Sequence, residues 1–150
     1  MICDPAILEL IPHRPPMLLI QTLESVTATQ ACASLIVAKN SAFFVPGQGV
    51  PAWVGIEYMG QTAALIAGYQ QQQGHLEPHL GLLLGTRKYR TTQPWFREGT
   101  ALMVSCTEIA IVGDSLATFG CEIIDKKSHQ VCANAKLSVY RKPLPEKGPT

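Results

Sequence analysis

The chain has 150 residues, 47% hydrophobic and 15% charged, which suits one compact domain with a true core and argues against disorder. Twelve Lys and Arg against eleven Asp and Glu leave a formal net charge of +1, so no global field recruits nucleic acid or an anionic membrane, although local basic patches stay open. The five cysteines, Cys3, Cys32, Cys106, Cys121 and Cys132, are odd in number, lack CxxC spacing and mostly lie inside predicted strands; they read as buried thiols of a reducing cytoplasm.

In chain order, residues 1–9 carry Asp4, Pro5 and Glu9 rather than a charged start and an apolar run, so no signal peptide is predicted. Asp4 before Pro5 predicts an N-cap and first helical residue, with a short helix to Leu10. The prolines of Ile11-Pro12-His13-Arg14-Pro15-Pro16 hold the next segment extended. Residues 17–26 and 30–37 read as two strands of a hairpin around a turn at 27–29. A loop over 40–50, with Pro46, Gly47 and Gly49, then delivers Pro51 to the first turn of a long helix.

That helix, PAWVGIEYMGQTAALIAGYQQQ over 51–72, is apolar or small on nearly every face, so the rest of the chain must wrap it. Its length approaches the ~20 residues a bilayer requires, but Glu57 and Gln61 stand near its middle, one turn apart on one face, and no membrane span is predicted. Gly74 is the expected cap. After a polar loop through His75, Pro78 and His79, strands are predicted over 81–90, 100–112, 115–124 and 131–140. Turns fall at 91–99, at the hairpin signal Gly113-Asp114 and at 125–129. The proline-bearing end RKPLPEKGPT lacks periodicity and is expected to fray, giving one domain over 1–142 and a flexible tail over 143–150.

Two strands, one long helix and four strands make an α+β chain with an antiparallel six-stranded sheet. A sheet of that size covers one apolar helix by curling around it, which accounts for Gly55, Gly60, Ala63, Ala64, Ala67 and Gly68 along the helix. No metal constellation, Gly-rich phosphate loop or nucleotide fingerprint is present in the sequence, so no cofactor and no metal is predicted.

Three motifs in order resemble a known family. Ile11-Pro12-His13-Arg14-Pro15-Pro16-Met17-Leu18-Leu19 is similar to the leucine-proline-histidine-arginine opening of the 3-hydroxyacyl-acyl-carrier-protein dehydratases. Glu57-Tyr58-Met59-Gly60-Gln61 resembles the Glu-x-Met-x-Gln of their central helix, and Gly81-Leu82-Leu83-Leu84-Gly85 with Arg90, Pro94 and Gly99 resembles their next strand and loop. The likeness runs from Leu8 to Tyr140, and the wording of the helix and of LLLGTRKY is closest in kind to a divergent branch of dehydratase-like proteins associated with aryl-polyene pigment clusters. It implies the hot-dog fold.

The resemblance also implies chemistry. Dehydration of a 3-hydroxyacyl thioester needs a base for the C2 proton and an acid for the leaving hydroxyl. Glu57 is implied as the helix carboxylate; if unpaired among Trp53, Ile56 and Met59, its pKa would be raised, as suits a general acid. Gln61 would orient that carboxyl or a water, and backbone N–H groups near Ala52 and Trp53 would polarise the thioester carbonyl. The family's histidine, however, belongs to a His-Phe-Pro-Gly segment, where this chain reads Phe43-Phe44-Val45-Pro46-Gly47 with no histidine before Pro51. His13 is the best-placed substitute by motif, so the base stays unassigned.

Each residue also has a plainer reading. Glu57 can be a structural buried acid, Gln61 a core amide, and His13 a structural or interface histidine. His75, His79 and His129 read as loop residues, and Trp53 and Tyr58 as packing, although Tyr58 would also offer a hydroxyl to a site. Arg87 and Lys88, with Arg90 and Arg97, form either a solvated strand end or a contact for an acyl carrier protein and its phosphopantetheine arm. Strand alternation would put Arg87 and Tyr89 on one face and Lys88 and Arg90 on the other. Three functions follow: a dehydratase acting on carrier-bound thioesters, a non-catalytic dehydratase-like partner subunit lacking the histidine, or a hot-dog thioesterase. In all three the resemblance implies a homodimer, or a heterodimer with a related hot-dog chain.

Overall fold

The computed structural model describes residues 3–76, 79–113 and 115–143; Pro78, Asp114 of the expected hairpin turn and residues 144–150 of the expected tail lie outside them. In chain order the elements are α1 (Pro5–Leu10), β1 (Thr22–Val26), β2 (Gln30–Ile36), β3 (Val50–Pro51), a single 3₁₀ turn (Ala52–Val54), α2 (Gly55–Gln72), β4 (His79–Thr91), β5 (Trp95–Phe96), β6 (Ala101–Val112), β7 (Leu116–Asp125) and β8 (Val131–Pro143). Six strands form one antiparallel sheet in the order β1-β2-β6-β7-β8-β4, and β3 pairs with β5 as a separate ribbon.

The sheet curls around α2 because strand alternation gives it one apolar face. Leu102, Val104 and Cys106 of β6, Ala117, Phe119, Cys121 and Ile123 of β7, and Ala133, Ala135 and Leu137 of β8 are all buried on that face. They meet Met59, Ala63, Leu65 and Ile66 of the helix. Between residues 54 and 71 no helical residue is exposed, as expected for a helix without a polar face. All five cysteines are free thiols: Cys106 and Cys121, opposite each other on β6 and β7, are buried, whereas Cys3, Cys32 and Cys132 are only half-buried. Small residues let the layers close. A Cβ on Gly68 would run into the Leu10 carbonyl, so α1 rests directly on the α2 backbone there, and one on Gly55 would meet the Tyr89 hydroxyl and Ile123.

Asp4 caps α1 through Oδ1, which accepts from the Ala6 N–H at 3.0 Å, and its Oδ2 accepts from the Leu23 N–H at 3.1 Å, joining the helix to β1. The first strand is shorter than the sequence predicts, starting at Thr22 rather than Met17. The reason is Gln61. Its Oε1 accepts from the N–H groups of Leu19 (2.8 Å) and Ile20 (3.4 Å), and its Nε2 donates to the Met17 carbonyl at 2.7 Å. A side chain of α2 thus takes the place of a neighbouring strand along 17–20.

Other departures are local. The predicted long helix opens with the 3₁₀ turn because Pro51 is held in β3 opposite Trp95. The 91–99 turn contributes β5. At the far end β8 continues past Tyr140 to Pro143, paired with β4 as far as His79, so 141–143 are strand rather than frayed tail.

Two substitutions test these supports. Gly68→Ala gains helix propensity of ~1 kcal/mol but drives a methyl into the Leu10 carbonyl, and a net loss of ~1–3 kcal/mol is expected in urea unfolding. Gln61→Leu strips partners from Met17 and Leu19, at ~1–3 kcal/mol for each buried group. The expected loss is ~2–4 kcal/mol by the same measurement; a loss under ~1 kcal/mol would mean that 17–20 holds itself in place.

Candidate active site

One face of α2 is left partly open. Glu57, Gly60, Ala64, Ala67 and Gln71 recur at helical spacing and are all half-buried. Because most of them are small, a groove runs between this face and the strands opposite, where Leu83 of β4, Phe119 of β7 and Val139 of β8 stand. The resulting cavity has a volume of about 290 Å³, near the lower end of small-molecule pockets at ~300 Å³. His13 and Glu57 line it toward the start of α2, Gln71 and Arg141 toward its end. The fourteen-residue separation of Glu57 and Gln71 corresponds to about 21 Å of helix.

Glu57 is not an unpaired acid. It is half-buried, and its Oε1 accepts a 3.1 Å hydrogen bond from Gln61 Nε2. Gln61 itself is fully buried, and its bonds to Met17, Leu19, Ile20 and Glu57 use its whole hydrogen-bonding capacity. It therefore positions Glu57 and has nothing left to offer a substrate or a water.

His13 reaches the same cavity from the proline-rich segment after α1. Arg14 fixes that segment, donating through Nη1 to the carbonyls of Ile11 (2.8 Å) and His13 (2.7 Å) and through Nη2 to that of Leu8 (2.9 Å). The His13 ring is half-buried, and its Nδ1 is enclosed without a hydrogen-bond partner among the described residues. Burial holds its pKa below the ordinary histidine value, against the upward pull of the Glu57 carboxylate, and Arg14 adds a smaller downward push. The imidazole is accordingly neutral at pH 7, with Glu57 as an electrostatic neighbour.

The remaining sequence candidates fall elsewhere. The Ala52 N–H donates to the Pro94 carbonyl at 2.9 Å and its own carbonyl accepts from the Tyr89 hydroxyl, so the expected donor at Ala52 is already engaged. Trp53 is 59% exposed and packs edge-on against Phe43, with ring centroids 5.4 Å apart. Tyr58 is buried beside Phe96 and borders a different hollow, with Leu19, Ile20 and Ala42; burial pushes its phenol pKa up. Arg87 is exposed. Lys88 and Arg90 border a concavity with Glu122 and Lys136 on the outer side of the sheet, away from α2. His75 and His129 are exposed. The loop with Phe43 and Phe44 closes through a Val45–Gly49 bridge and brings no histidine.

Sequence reasoning missed Arg141 and Glu108. The Arg141 side chain is buried and that of Glu108 nearly so, 5% and 11% exposed, with Arg141 Nη2 donating to Glu108 Oε2 at 3.1 Å. Strand alternation carried the signal: Arg141 is in phase with inward-facing Ala133, Ala135 and Leu137, and Glu108 with Leu102, Val104 and Cys106.

The family described as ApeP-like, ApeP dehydratase, matches residues 5–147. No curated protein sequence matches the chain. Among solved structures it is similar to a chain of the dehydratase heterocomplex ApeI:P from Xenorhabdus doucetiae, with 25% identity, a TM-score of 0.81, and 94% of this chain and 91% of that chain covered. It is also similar in fold to AziG from S. sahachiroi (11% identity, TM-score 0.63, 82% of this chain and 91% of that one). A hypothetical thioesterase with coenzyme A from Streptococcus pneumoniae gives 8% identity, a TM-score of 0.63, and coverage of 83% and 87%. These last two likenesses concern the fold alone. The family match across nearly the whole chain, on a sheet curled about a helix that bears Glu57, makes this protein a member of the ApeP-like dehydratase family, a dehydratase-like hot-dog protein of polyene biosynthesis.

Proposed function

We propose that this chain removes water from a 3-hydroxyacyl thioester presented on the phosphopantetheine arm of an acyl carrier protein, and that Glu57 and His13 are the groups that do so. The observation that carries this reading is their meeting on one cavity, with Glu57 oriented by Gln61 and His13 neutral. The thioester carbonyl acidifies the substrate at C2. His13 takes that proton, Glu57 passes one to the C3 hydroxyl, the C3–O bond breaks to release water, and the electron pair left at C2 becomes the new double bond. The acyl tail lies along the small residues of α2, where Gly60, Ala64 and Ala67 leave room.

The protein works as half of a pair. β4 ends the sheet with no neighbour beyond it among the described residues, and thirteen residues of open strand edge suit addition of a partner strand. A related hot-dog chain is the partner supported by the ApeI:P structure, which is a heterocomplex of dehydratases. The same comparison, with the histidine missing from the 43–51 loop, supports a second reading in which this chain completes the site of an active partner.

Incubating the chain with a 3-hydroxyacyl carrier protein, alone and with a histidine-containing dehydratase chain, separates the readings by intact mass. Loss of water from the chain alone is the expected result; activity only in the mixture supports the second reading, and loss of the whole acyl group identifies a thioesterase. Glu57→Gln and His13→Ala should each lower turnover by about 10²–10⁴-fold, with Glu57→Gln keeping the acceptor for Gln61 and hence the fold. Either variant turning over like wild type removes that residue from the proposal.

The pH profile gives a second test. A base works unprotonated, so kcat/KM should fall as pH drops through the His13 pKa, which lies below the ordinary value of about 6.5. An acid limb at or above that ordinary value would point to another base.

A further inference from the structure

A second cavity, of about 490 Å³, lies at the end of the sheet where α2 begins, within the ~300–1,000 Å³ of small-molecule pockets. It shares no described lining residue with the cavity of Glu57 and His13. Backbone bonds tie its walls together. Trp95 and Phe96 are held opposite Pro51 and Val50, the Thr92 N–H donates to the Cys132 carbonyl at 3.0 Å, and the Asp125 N–H donates to the Gln130 carbonyl at 3.0 Å. A hollow fixed in this way is pre-formed, so filling it costs little ordering entropy.

Its lining offers three kinds of contact. Buried Phe96 and Leu102 make an apolar floor, bordered by the half-buried indole of Trp95. Arg97 is exposed at the rim, and its guanidinium has no partner among the described residues; the adjacent carboxylate, Glu98, faces Lys39 at 4.0 Å instead. Asp125 is half-buried, and its Oδ1 accepts from the N–H groups of Lys127 (2.8 Å) and Ser128 (3.2 Å). Those two donors already stabilise its charge, so it requires no cation and keeps Oδ2 as an acceptor for hydroxyl groups.

Together these contacts select a ligand. A purely apolar one would strip water from Asp125 and return nothing. An inorganic anion would meet Arg97 but leave the aromatic floor uncovered, and a zwitterionic amino acid would bring an ammonium for which Asp125 has no need. A flat ring, paired hydroxyls and a phosphate use all three contacts, because bases stack on indole, carboxylates accept from ribose hydroxyls and guanidinium grips phosphate through paired bonds.

We propose that this cavity is a nucleotide site, with the base on Trp95 and the apolar floor, the ribose hydroxyls on Asp125 and the phosphate on Arg97. The nucleotide is either free or the head of coenzyme A, which carries the same chemistry. Glu57 and His13 take no part in it, so the site stands or falls apart from the dehydratase reading.

The test is calorimetric titration of the full chain with AMP, adenosine, 2′,3′-dideoxy-AMP, inorganic phosphate, phenylalanine, coenzyme A and pantetheine. AMP should bind about tenfold or more tightly than adenosine or the dideoxy nucleotide. Arg97→Gln, at an exposed position, should erase the advantage of AMP over adenosine while leaving adenosine unchanged. Trp95→Leu should weaken AMP and adenosine alike, about fivefold or more. Coenzyme A bound at least as tightly as AMP, and weakened by Arg97→Gln, identifies the nucleotide as the handle of a coenzyme A thioester; weaker coenzyme A identifies a free nucleotide. Phosphate bound as tightly as AMP, phenylalanine bound more tightly, pantetheine matching coenzyme A, AMP unmoved by Arg97→Gln, or no binding of AMP and coenzyme A at millimolar concentration each overturns the site.

Discussion

A helix with no polar face cannot exist until something covers it, and that constraint organises the molecule. Folding α2 into water would expose apolar side chains all round, so its formation and the curling of the sheet are one event. Glycine at 68 lets α1 seat against its backbone, and glycine at 55 leaves room for Tyr89. The polar side chains it does carry must then be satisfied from within. Gln61 reaches sideways to the backbone of 17–20, Thr62 donates to the Tyr58 carbonyl, and Glu57 takes its bond from Gln61.

That chain of obligations also explains how a site comes to be there. Gln61 ties α2 to the segment that follows His13 and Arg14, while Arg14 ties the same segment back to the end of α1. His13 is thereby fixed on the same cavity as Glu57 by bonds in which the imidazole takes no part. A carboxylate oriented by an amide and an imidazole with an enclosed, unpaired nitrogen are poor choices for stability alone, since a buried polar atom without a partner costs free energy. They are serviceable ones for moving protons.

Most of the architecture was legible from pattern. The long apolar helix, the four later strands and the Asp4-Pro5 helix start all follow from periodicity and capping chemistry, and the motif around Glu57 pointed to the family. The misreadings share one cause, long-range hydrogen bonding. Residues 17–20 look like strand, yet their backbone is engaged by a side chain more than forty positions away. Pro51 looks like a helix start, but Trp95 pairs with it first. The N–H of Ala52 looks available at a helix entrance, but Pro94 has taken it. Arg141 looked like the start of a loose tail because a charged residue after Tyr140 reads as surface until Glu108, on another strand, is seen to meet it.

The hydrogen bond from the Tyr89 hydroxyl to the Ala52 carbonyl makes the edge strand and the helix entrance a single mechanical part. Tyr89 lies in the stretch of β4 where pairing with β8 is interrupted between Arg87 and Arg90 and where Lys88 takes a positive φ. This stretch of the strand is therefore set by its grip on the helix as much as by its neighbour in the sheet. A force on β4 would reach the 3₁₀ turn that leads into α2 through that one phenol, a contact that lies outside the lining of the cavity.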